Sequence, residues 1–138
     1  MTDDVIIAQL IEHEGMRLKP YLCPAGFLTL GIGRNLSDNG ITEAEAIYLL
    51  KHDIANAVID LQKVFDGKLW LMPEIVQRVL VDMMFNLGLS RFKTFKRMIA
   101  AVKRKDFNLA AAEMQDSEWF NQVGKRGITL VNMMLKAV

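Results

Sequence analysis

A carboxylate, a thiol and a hydroxyl lie close together near the start of the chain. They belong to Glu14, Cys23 and Thr29, and Cys23 is the only cysteine of the sequence. A protonated glutamate can act as a general acid, while a second group can hold or activate a water molecule. Each residue also has an ordinary alternative, because helix-end glutamates are usually solvated and a lone cysteine often packs as a small apolar residue. By residue type alone, both interpretations stay open.

The segment before Gly15 is predicted to be a helix that carries Glu14 at its end. Residues 3–14 have apolar side chains at helical spacing, and Asp3 and Asp4 suit a first turn. Gly15 is typical of a residue that ends a helix. Glu14 would then lie in the last turn, where the helix dipole favours the protonated carboxyl that a general acid needs.

The segment after this helix predicts a β-hairpin. Residues 27–32 are rich in strand-forming side chains, and Pro24 and Gly26 before them are turn formers. A hairpin would put Cys23 on the first strand or in its turn, and Thr29 on the second strand. Both side chains could then face the helix end that carries Glu14.

The order of residues in this block resembles the phage-type lysozymes, glycoside hydrolase family 24. The matching residues are Glu14-Gly15-Met16-Arg17-Leu18-Lys19, Tyr21 and Gly26-Phe27-Leu28-Thr29-Leu30-Gly31-Ile32-Gly33. Three later segments also resemble the family: Ile41-Thr42-x-x-Glu45-Ala46, Phe85-Asn86-x-Gly88 and Trp119-Phe120-Asn121-Gln122 with Arg126. Compared with the family pattern, the β region is short between Gly33 and Gly40.

The resemblance implies an α+β, mostly helical, lysozyme-like fold with two lobes and a cleft between them. We expect one domain over residues 1–138, with a small β lobe at about 15–42 and a connecting helix at about 43–64. A capping box at Thr42 and Glu45 opens that helix, and residues 37–40 are predicted to form a turn. The helical lobe would cover about 67–138 together with helix 3–14. Its expected helices are at about 73–87, 91–104, 106–115, 117–121 and 124–136.

The activity implied by the resemblance is hydrolysis of the β-1,4 bond between N-acetylmuramic acid and N-acetylglucosamine in peptidoglycan. Glu14 would be the general acid, Cys23 would occupy the position of the family's aspartate, and Thr29 would help hold the attacking water. The expected role is that of an endolysin in host-cell lysis. Two alternatives stay open: a lytic transglycosylase, which needs no water-activating carboxylate, and a peptidoglycan-binding module without catalysis.

The resemblance also implies residues around this site. Four positions match substrate contacts of the family: Asn35, Phe85, Met98 and Glu113. Arg126 matches an arginine that pairs with the catalytic glutamate. Arg34, which replaces the family's histidine, and Asp53 match a pair behind the active site.

Composition limits the other possible functions. Apolar residues make up 51% of the chain, enough for a packed core, and the net charge of +1 speaks against nucleic-acid binding. The seven basic residues between positions 91 and 105 would form a solvated helix face or attract an anionic polymer. One cysteine excludes an internal disulfide, and neither a metal site nor a cofactor is expected.

The sequence also predicts where the protein acts. No apolar run reaches the length of a membrane span, so no stable membrane insertion is expected, and the acidic start lacks the basic residues of a signal peptide. We therefore expect synthesis in the host cytoplasm and action on the cell wall in the periplasm, after release by a holin or another route. The expected partners are peptidoglycan glycan strands, and the expected oligomeric state is a monomer.

Overall fold

The computed structural model describes residues 1–137 and contains two compact units, Met1–Tyr48 and Leu49–Val138. The first unit has helix α1, a three-stranded antiparallel sheet and a short helix α2. Helix α3 begins in the first unit and ends in the second, which is otherwise built from helices. The predicted fold class, α+β and mostly helical, is confirmed.

Helix α1 spans Asp3–Glu14, the bounds that the sequence predicts. It ends at Gly15, whose backbone N–H donates to the carbonyl of Ile11 at 2.8 Å. Glu14 therefore lies in the last turn. The sequence prediction grouped this helix with the helical lobe, but its contacts place it in the first unit, where the Glu14 side chain approaches Gly33.

The sheet places three site-forming residues in one row. Strands β1, β2 and β3 span Arg17–Leu22, Leu28–Gly31 and Arg34–Asn35. On the middle strand, Thr29 lies opposite Tyr21 of β1 and opposite Asn35 of β3. Because directly opposed residues point to the same face of a sheet, these three side chains share a face. The predicted hairpin is confirmed, with Cys23 directly after β1.

Helix α2 corrects the turn that the sequence predicts at residues 37–40. It is a single helical turn, Leu36–Asn39, and Gly40 follows it with its N–H donating to the Leu36 carbonyl at 3.0 Å. Asn35 caps its start, because its side-chain oxygen accepts from the backbone N–H of Asp38 at 3.0 Å. Residues typical of a turn thus form a capped turn of helix.

Helix α3 spans Glu43–Val64 and opens with the predicted capping box. The N–H of Glu45 donates to Oγ1 of Thr42 at 3.1 Å, and the N–H of Thr42 donates to Oε1 of Glu45 at 2.9 Å. This reciprocal pair satisfies two backbone donors that the helix itself leaves free.

The second unit continues with a 3₁₀ turn at Leu69–Leu71 and five helices. Helices α4 to α8 span Glu74–Phe92, Lys96–Lys103, Phe107–Gln115, Glu118–Val123 and Lys125–Leu135. The predicted helix at 91–104 is wrong at its start. The chain is not helical at Gly88 (φ 76°, ψ 167°), turns helical again to Phe92, and α5 begins only at Lys96. None of the helices in residues 1–137 is long and apolar enough to cross a bilayer.

The core of the second unit is centred on α4, as its apolar composition predicts. Val76, Val79, Leu80 and Met83 are all fully buried in it. Five methionines are buried in this core: Met83, Met84, Met98, Met114 and Met134. Flexible, polarisable methionines can fill irregular gaps between helices of this kind.

Formal charge is divided unequally between the units. Residues 1–48 carry seven acidic and three basic side chains, a balance of −4, while residues 49–138 carry nine acidic and fourteen basic ones, a balance of +5. All seven basic residues between positions 91 and 105 are exposed. The small net charge of the chain therefore hides two units of opposite sign.

Candidate active site

One cavity of the first unit brings the three predicted catalytic residues together. It has a volume of about 390 Å³ and is lined by Glu14, Arg17, Tyr21, Cys23, Pro24, Thr29, Gly33 and Asn35. The helix end supplies Glu14, the hairpin turn supplies Cys23, and the middle strand supplies Thr29. The spacing of these residues in the sequence thus corresponds to proximity in the fold.

Cys23 lies in the hairpin turn, where backbone N–H groups of residues 25–27 surround its thiol. Gly26 donates its N–H to the Cys23 carbonyl at 2.8 Å, and Cys23 donates its own N–H to the Phe27 carbonyl at 2.9 Å. These two backbone bonds close the turn. The pKa of the Cys23 thiol is lowered from its ordinary value, chiefly by the backbone N–H of Phe27 and further by Ala25, Thr29 and Gly26, while desolvation opposes the shift. The thiolate form of Cys23 is therefore more accessible here than in an ordinary cysteine.

Thr29 is the one buried polar residue in the described part of the chain, with 4% of its surface exposed. Its hydroxyl donates to the Phe27 carbonyl at 2.9 Å. The same hydroxyl also lowers the pKa of the Cys23 thiol. A hydroxyl has a single proton to donate, so Thr29 serves one acceptor at a time. The protonation state of Cys23 and the orientation of the Thr29 hydroxyl are therefore linked.

Asn35, a predicted substrate contact, lines the same cavity and is partly occupied by its role as a helix cap. Its amide nitrogen donates to the Asp38 carboxylate at 3.1 Å, and its oxygen accepts from the Asp38 N–H. A primary amide has two donors and two acceptor positions, so one of each stays available to a ligand. Asn35 can thus cap α2 and contact a substrate together.

Arg17 and Tyr21 are cavity residues to which the sequence analysis gave no role. The Arg17 guanidinium carbon lies 4.2 Å from the centre of the Tyr21 ring, a cation–π contact. Both residues belong to the motif that resembles phage-type lysozymes, and that membership is the sequence feature that indicates a place in the site. The pair gives one wall of the cavity a positive charge and an aromatic face.

Arg34 is held by Glu45 of the same unit. Two nitrogens of its guanidinium donate to the two Glu45 carboxylate oxygens at 3.0 and 2.8 Å, and it also donates to the Gly40 carbonyl at 3.2 Å. The Arg34 hydrogen bonds lower the pKa of Glu45 to about 2. Asp53 is exposed and lies in the second unit, so its predicted pairing with Arg34 stays a prediction.

The other predicted substrate contacts lie in the second unit. Met98 and Glu113 line a cavity of about 720 Å³ there, and Phe85 is 48% exposed. Met98 itself is only 1% exposed, so it supports the cavity from the core and offers little surface to a ligand. Glu113 is half-buried and can present its carboxylate.

Arg126, predicted to pair with Glu14, has a different partner within its own unit. Its Nε donates to Oδ1 of Asp82 at 2.7 Å, and its second guanidinium nitrogen forms an ion pair with the same carboxylate. Glu14 belongs to the other unit, so the Glu14–Arg126 pairing stays a prediction. A hydrogen bond of 2.9 Å from Trp119 Nε1 to Asn86 Oδ1 links two segments that resemble the family.

The fold and the cavity define a lysozyme-like protein of the phage type. Residues 11–133 match the Phage lysozyme family model, and the chain belongs to this family. It is 30% identical over 119 residues to the endolysin of Acyrthosiphon pisum secondary endosymbiont phage 1, covering 83% of this chain and 78% of that protein.

A second relative is the pre-baseplate central spike protein Gp5 of Enterobacteria phage T4. The identity is 27% over an alignment of 167 residues, which covers 97% of this chain. The chain spans only 29% of the length of that spike protein.

Proposed function

We propose that the chain is a muramidase that hydrolyses the β-1,4 bond between N-acetylmuramic acid and N-acetylglucosamine, and that it acts as an endolysin in host-cell lysis. The observation that carries this proposal is the single cavity lined by Glu14, Cys23 and Thr29. Membership of the phage lysozyme family and the endolysin relative support it.

In this proposal Glu14 is the general acid. Its side chain is exposed to the cavity at the end of α1, within reach of a polymer that enters from solvent. The protonated carboxyl gives its proton to the glycosidic oxygen as the bond to the anomeric carbon breaks. Proton transfer of this kind contributes about 10²–10⁴-fold to a rate.

In this proposal Cys23 activates the attacking water and Thr29 helps to hold it. The water oxygen attacks the anomeric carbon on the face opposite the leaving group, and the Cys23 thiolate takes a proton from the water. Glu14 ends as a carboxylate and Cys23 as a thiol, and exchange with solvent restores both. The lowered pKa of Cys23 and the hydroxyl of Thr29 beside it support this division of roles. Attack from the opposite face inverts the anomeric configuration.

Substrate binding is proposed at both units. In the first, the row of Tyr21, Thr29 and Asn35 gives a sugar ring an aromatic edge and an amide. In the second, Phe85 and Glu113 would contact the polymer.

A lytic transglycosylase is the second candidate, and the thiol at Cys23 is the observation that favours it. A transglycosylase needs the acid but no water activation, because the sugar's own hydroxyl attacks the anomeric carbon. Its product ends in an anhydro ring and is lighter than the hydrolysis product by one water. Mass spectrometry of fragments from purified peptidoglycan therefore distinguishes the two reactions.

The proposal is tested by clearing of permeabilised Gram-negative cells. We expect the parent to clear the cells, Glu14→Gln to lose about 10²–10⁴-fold in rate, and Cys23→Asp to stay active. Glu12→Gln is the matched control, because Glu12 is an exposed glutamate of the same helix outside the cavity. Full activity in Cys23→Ser would remove the thiolate from the mechanism. Binding without clearing by the parent would favour a non-catalytic module.

The proposed role in lysis is tested separately, in host cells that express the protein. We expect lysis only when the inner membrane is opened by a holin or a permeabilising agent. Lysis at the same rate in untreated cells would contradict the proposed need for a release route. Failure to lyse treated cells, with activity retained on purified peptidoglycan, would favour a role in entry over a role in lysis.

A further inference from the structure

We propose that Gly33 is a positioning residue for Glu14, because the absence of a side chain at position 33 creates the space that the Glu14 carboxylate occupies. The inference rests on the proposed role of Glu14 as the acid. Gly33 and Glu14 line the same cavity of the first unit and are brought together from different elements.

The contact is defined by what a side chain at position 33 would meet. A Cβ atom at Gly33 would lie 2.7 Å from Oε2 of Glu14 and 3.1 Å from both its Cδ and its Cγ. Ordinary contacts of a Cβ atom begin at 3.4 Å, so the nearest separation is short by about 0.7 Å. The three nearest atoms all belong to one side chain, so a methyl group at this position would press first on Glu14.

Gly31, two residues earlier, separates this contact from backbone strain. The two glycines have similar positive φ angles, 72° at Gly31 and 69° at Gly33, in the range that favours glycine. A Cβ atom at Gly31 would meet nothing within 4 Å. Alanine is therefore strained at either position, and only alanine at 33 also pushes on Glu14.

Glu14 is the part that yields when a methyl group is added. Its carboxylate is the far end of a flexible, exposed side chain, whereas Gly33 lies in the short connection between β2 and β3. That connection is fixed by the pairing of Leu30 with Arg34 and by the Arg34–Glu45 ion pair. The expected result is a folded protein whose carboxylate is displaced. Misplacement of a catalytic group by about 1 Å can cost roughly 10²-fold in rate.

The first experiment compares Gly33→Ala with Gly31→Ala. We expect Gly33→Ala to lower kcat about 100-fold with little change in KM, while Gly31→Ala loses less than about tenfold. We expect Tm to decrease in both variants, because each position has a positive φ that favours glycine. Equal losses of kcat in the two variants would overturn the proposal.

A second pair of variants covers the case in which alanine prevents folding. Asparagine tolerates left-handed backbone better than alanine and still carries a Cβ atom. Gly33→Asn should repeat the specific loss of kcat, and Gly31→Asn should not. Equal activity of the two asparagine variants would count against the proposal.

Coupling to Glu14 gives the most direct test. Glu14→Asp withdraws the carboxylate by one methylene and so makes room for a methyl group at position 33. The loss of kcat in Gly33→Ala/Glu14→Asp should be smaller than the product of the two single losses. A product of independent effects would mean that Gly33 does not act through Glu14.

One readout is independent of catalysis. The ¹³Cδ resonance of Glu14 in the free protein should move in Gly33→Ala and stay in place in Gly31→Ala. If the parent protein has no activity on peptidoglycan, the proposed function fails, while this comparison still decides the positioning. A Glu14 resonance that is unmoved by Gly33→Ala would refute the inference whatever the activity.

Discussion

The two units of this protein are stabilised by different means. In residues 1–48 the only buried side chain is that of Thr29, whereas the described part of the second unit contains an apolar core of twenty-one buried residues. The first unit relies on the ladder of its sheet, on helix caps and on the Arg34–Glu45 ion pair. Directional bonds and backbone conformation thus place the candidate catalytic residues, and side-chain packing contributes little there.

The comparison predicts that truncation of an apolar side chain lowers the free energy of unfolding substantially in the second unit only. Leu80 is 0% exposed in the core, and Leu18 is 83% exposed on β1. We expect Leu80→Ala to lower the free energy of unfolding by about 2–5 kcal/mol through lost burial and a cavity. We expect Leu18→Ala to change it by less than about 0.5 kcal/mol. Urea denaturation measures both, and comparable losses would break the comparison.

Helix caps should contribute equally in the two units, because a cap does not depend on burial. Thr42 caps α3 in the first unit, and Ser117 caps α7 in the second by accepting from the Phe120 N–H at 3.2 Å. We expect Thr42→Ala and Ser117→Ala each to cost about 1 kcal/mol. The measurement is the change in the free energy of unfolding by urea, with the exposed Glu43→Ala as a surface control. A cost confined to Ser117→Ala would mean that capping needs a packed core.

The pKa of the Cys23 thiol should depend on the Thr29 hydroxyl, one of the hydrogen-bonding groups of the first unit. Because the Thr29 hydroxyl lowers the pKa of Cys23, Thr29→Val should raise this pKa, whereas Thr29→Ser keeps a hydroxyl and should change it less. The rate of alkylation by iodoacetamide follows the thiolate fraction, so its midpoint moves to higher pH in Thr29→Val. A midpoint that is the same in all three proteins would show that the hydroxyl does not reach the sulfur.

The smallest expected effect is a loss of local stability in the first unit at low pH. The pKa of Glu45 is lowered to about 2, chiefly by its hydrogen bond from Arg34. The stabilisation from this bond is therefore complete at any pH above the ordinary pKa of a glutamate. This contribution is lost as the pH falls through the lowered value. The hydrogen-exchange protection factors of residues 34–48, which correct for the intrinsic pH dependence of amide exchange, should fall on acidification less steeply in Glu45→Gln than in the parent. Glu43→Gln, an exposed glutamate of the same helical turn, should behave as the parent.

Local signals in the sequence predicted most of the first unit. The bounds of α1 followed from apolar spacing and Gly15, the start of α3 followed from the Thr42–Glu45 box, and the hairpin followed from its turn residues. The proximity of Glu14, Cys23 and Thr29 was predicted from motif and spacing. Their roles in catalysis stay predictions.

The errors have common physical causes. A single helical turn at 36–39 has the composition of a loop, and its cap at Asn35 distinguishes it only in three dimensions. The chain breaks between α4 and α5 at residues 93–95, where the sequence has no glycine or proline to signal it. The turn is closed instead by backbone bonds and by the Thr94 hydroxyl, which donates to the Arg91 carbonyl.

Partners distant in sequence were beyond prediction as well. Asp82 is 44 residues from Arg126, and Glu45, which closes the capping box of α3, also binds Arg34, 11 residues earlier in the chain. Such pairs depend on tertiary structure, which single-sequence patterns do not contain.

The opposite charges of the two units have a practical consequence for handling the protein. A chain with a pI near 7.9 is expected to pass through ion-exchange resins at pH 8. Here a resin can interact with fourteen cationic side chains of residues 49–138 or with seven anionic ones of residues 1–48. Retention on both cation and anion exchangers at the same pH is the expected chromatographic behaviour of this molecule.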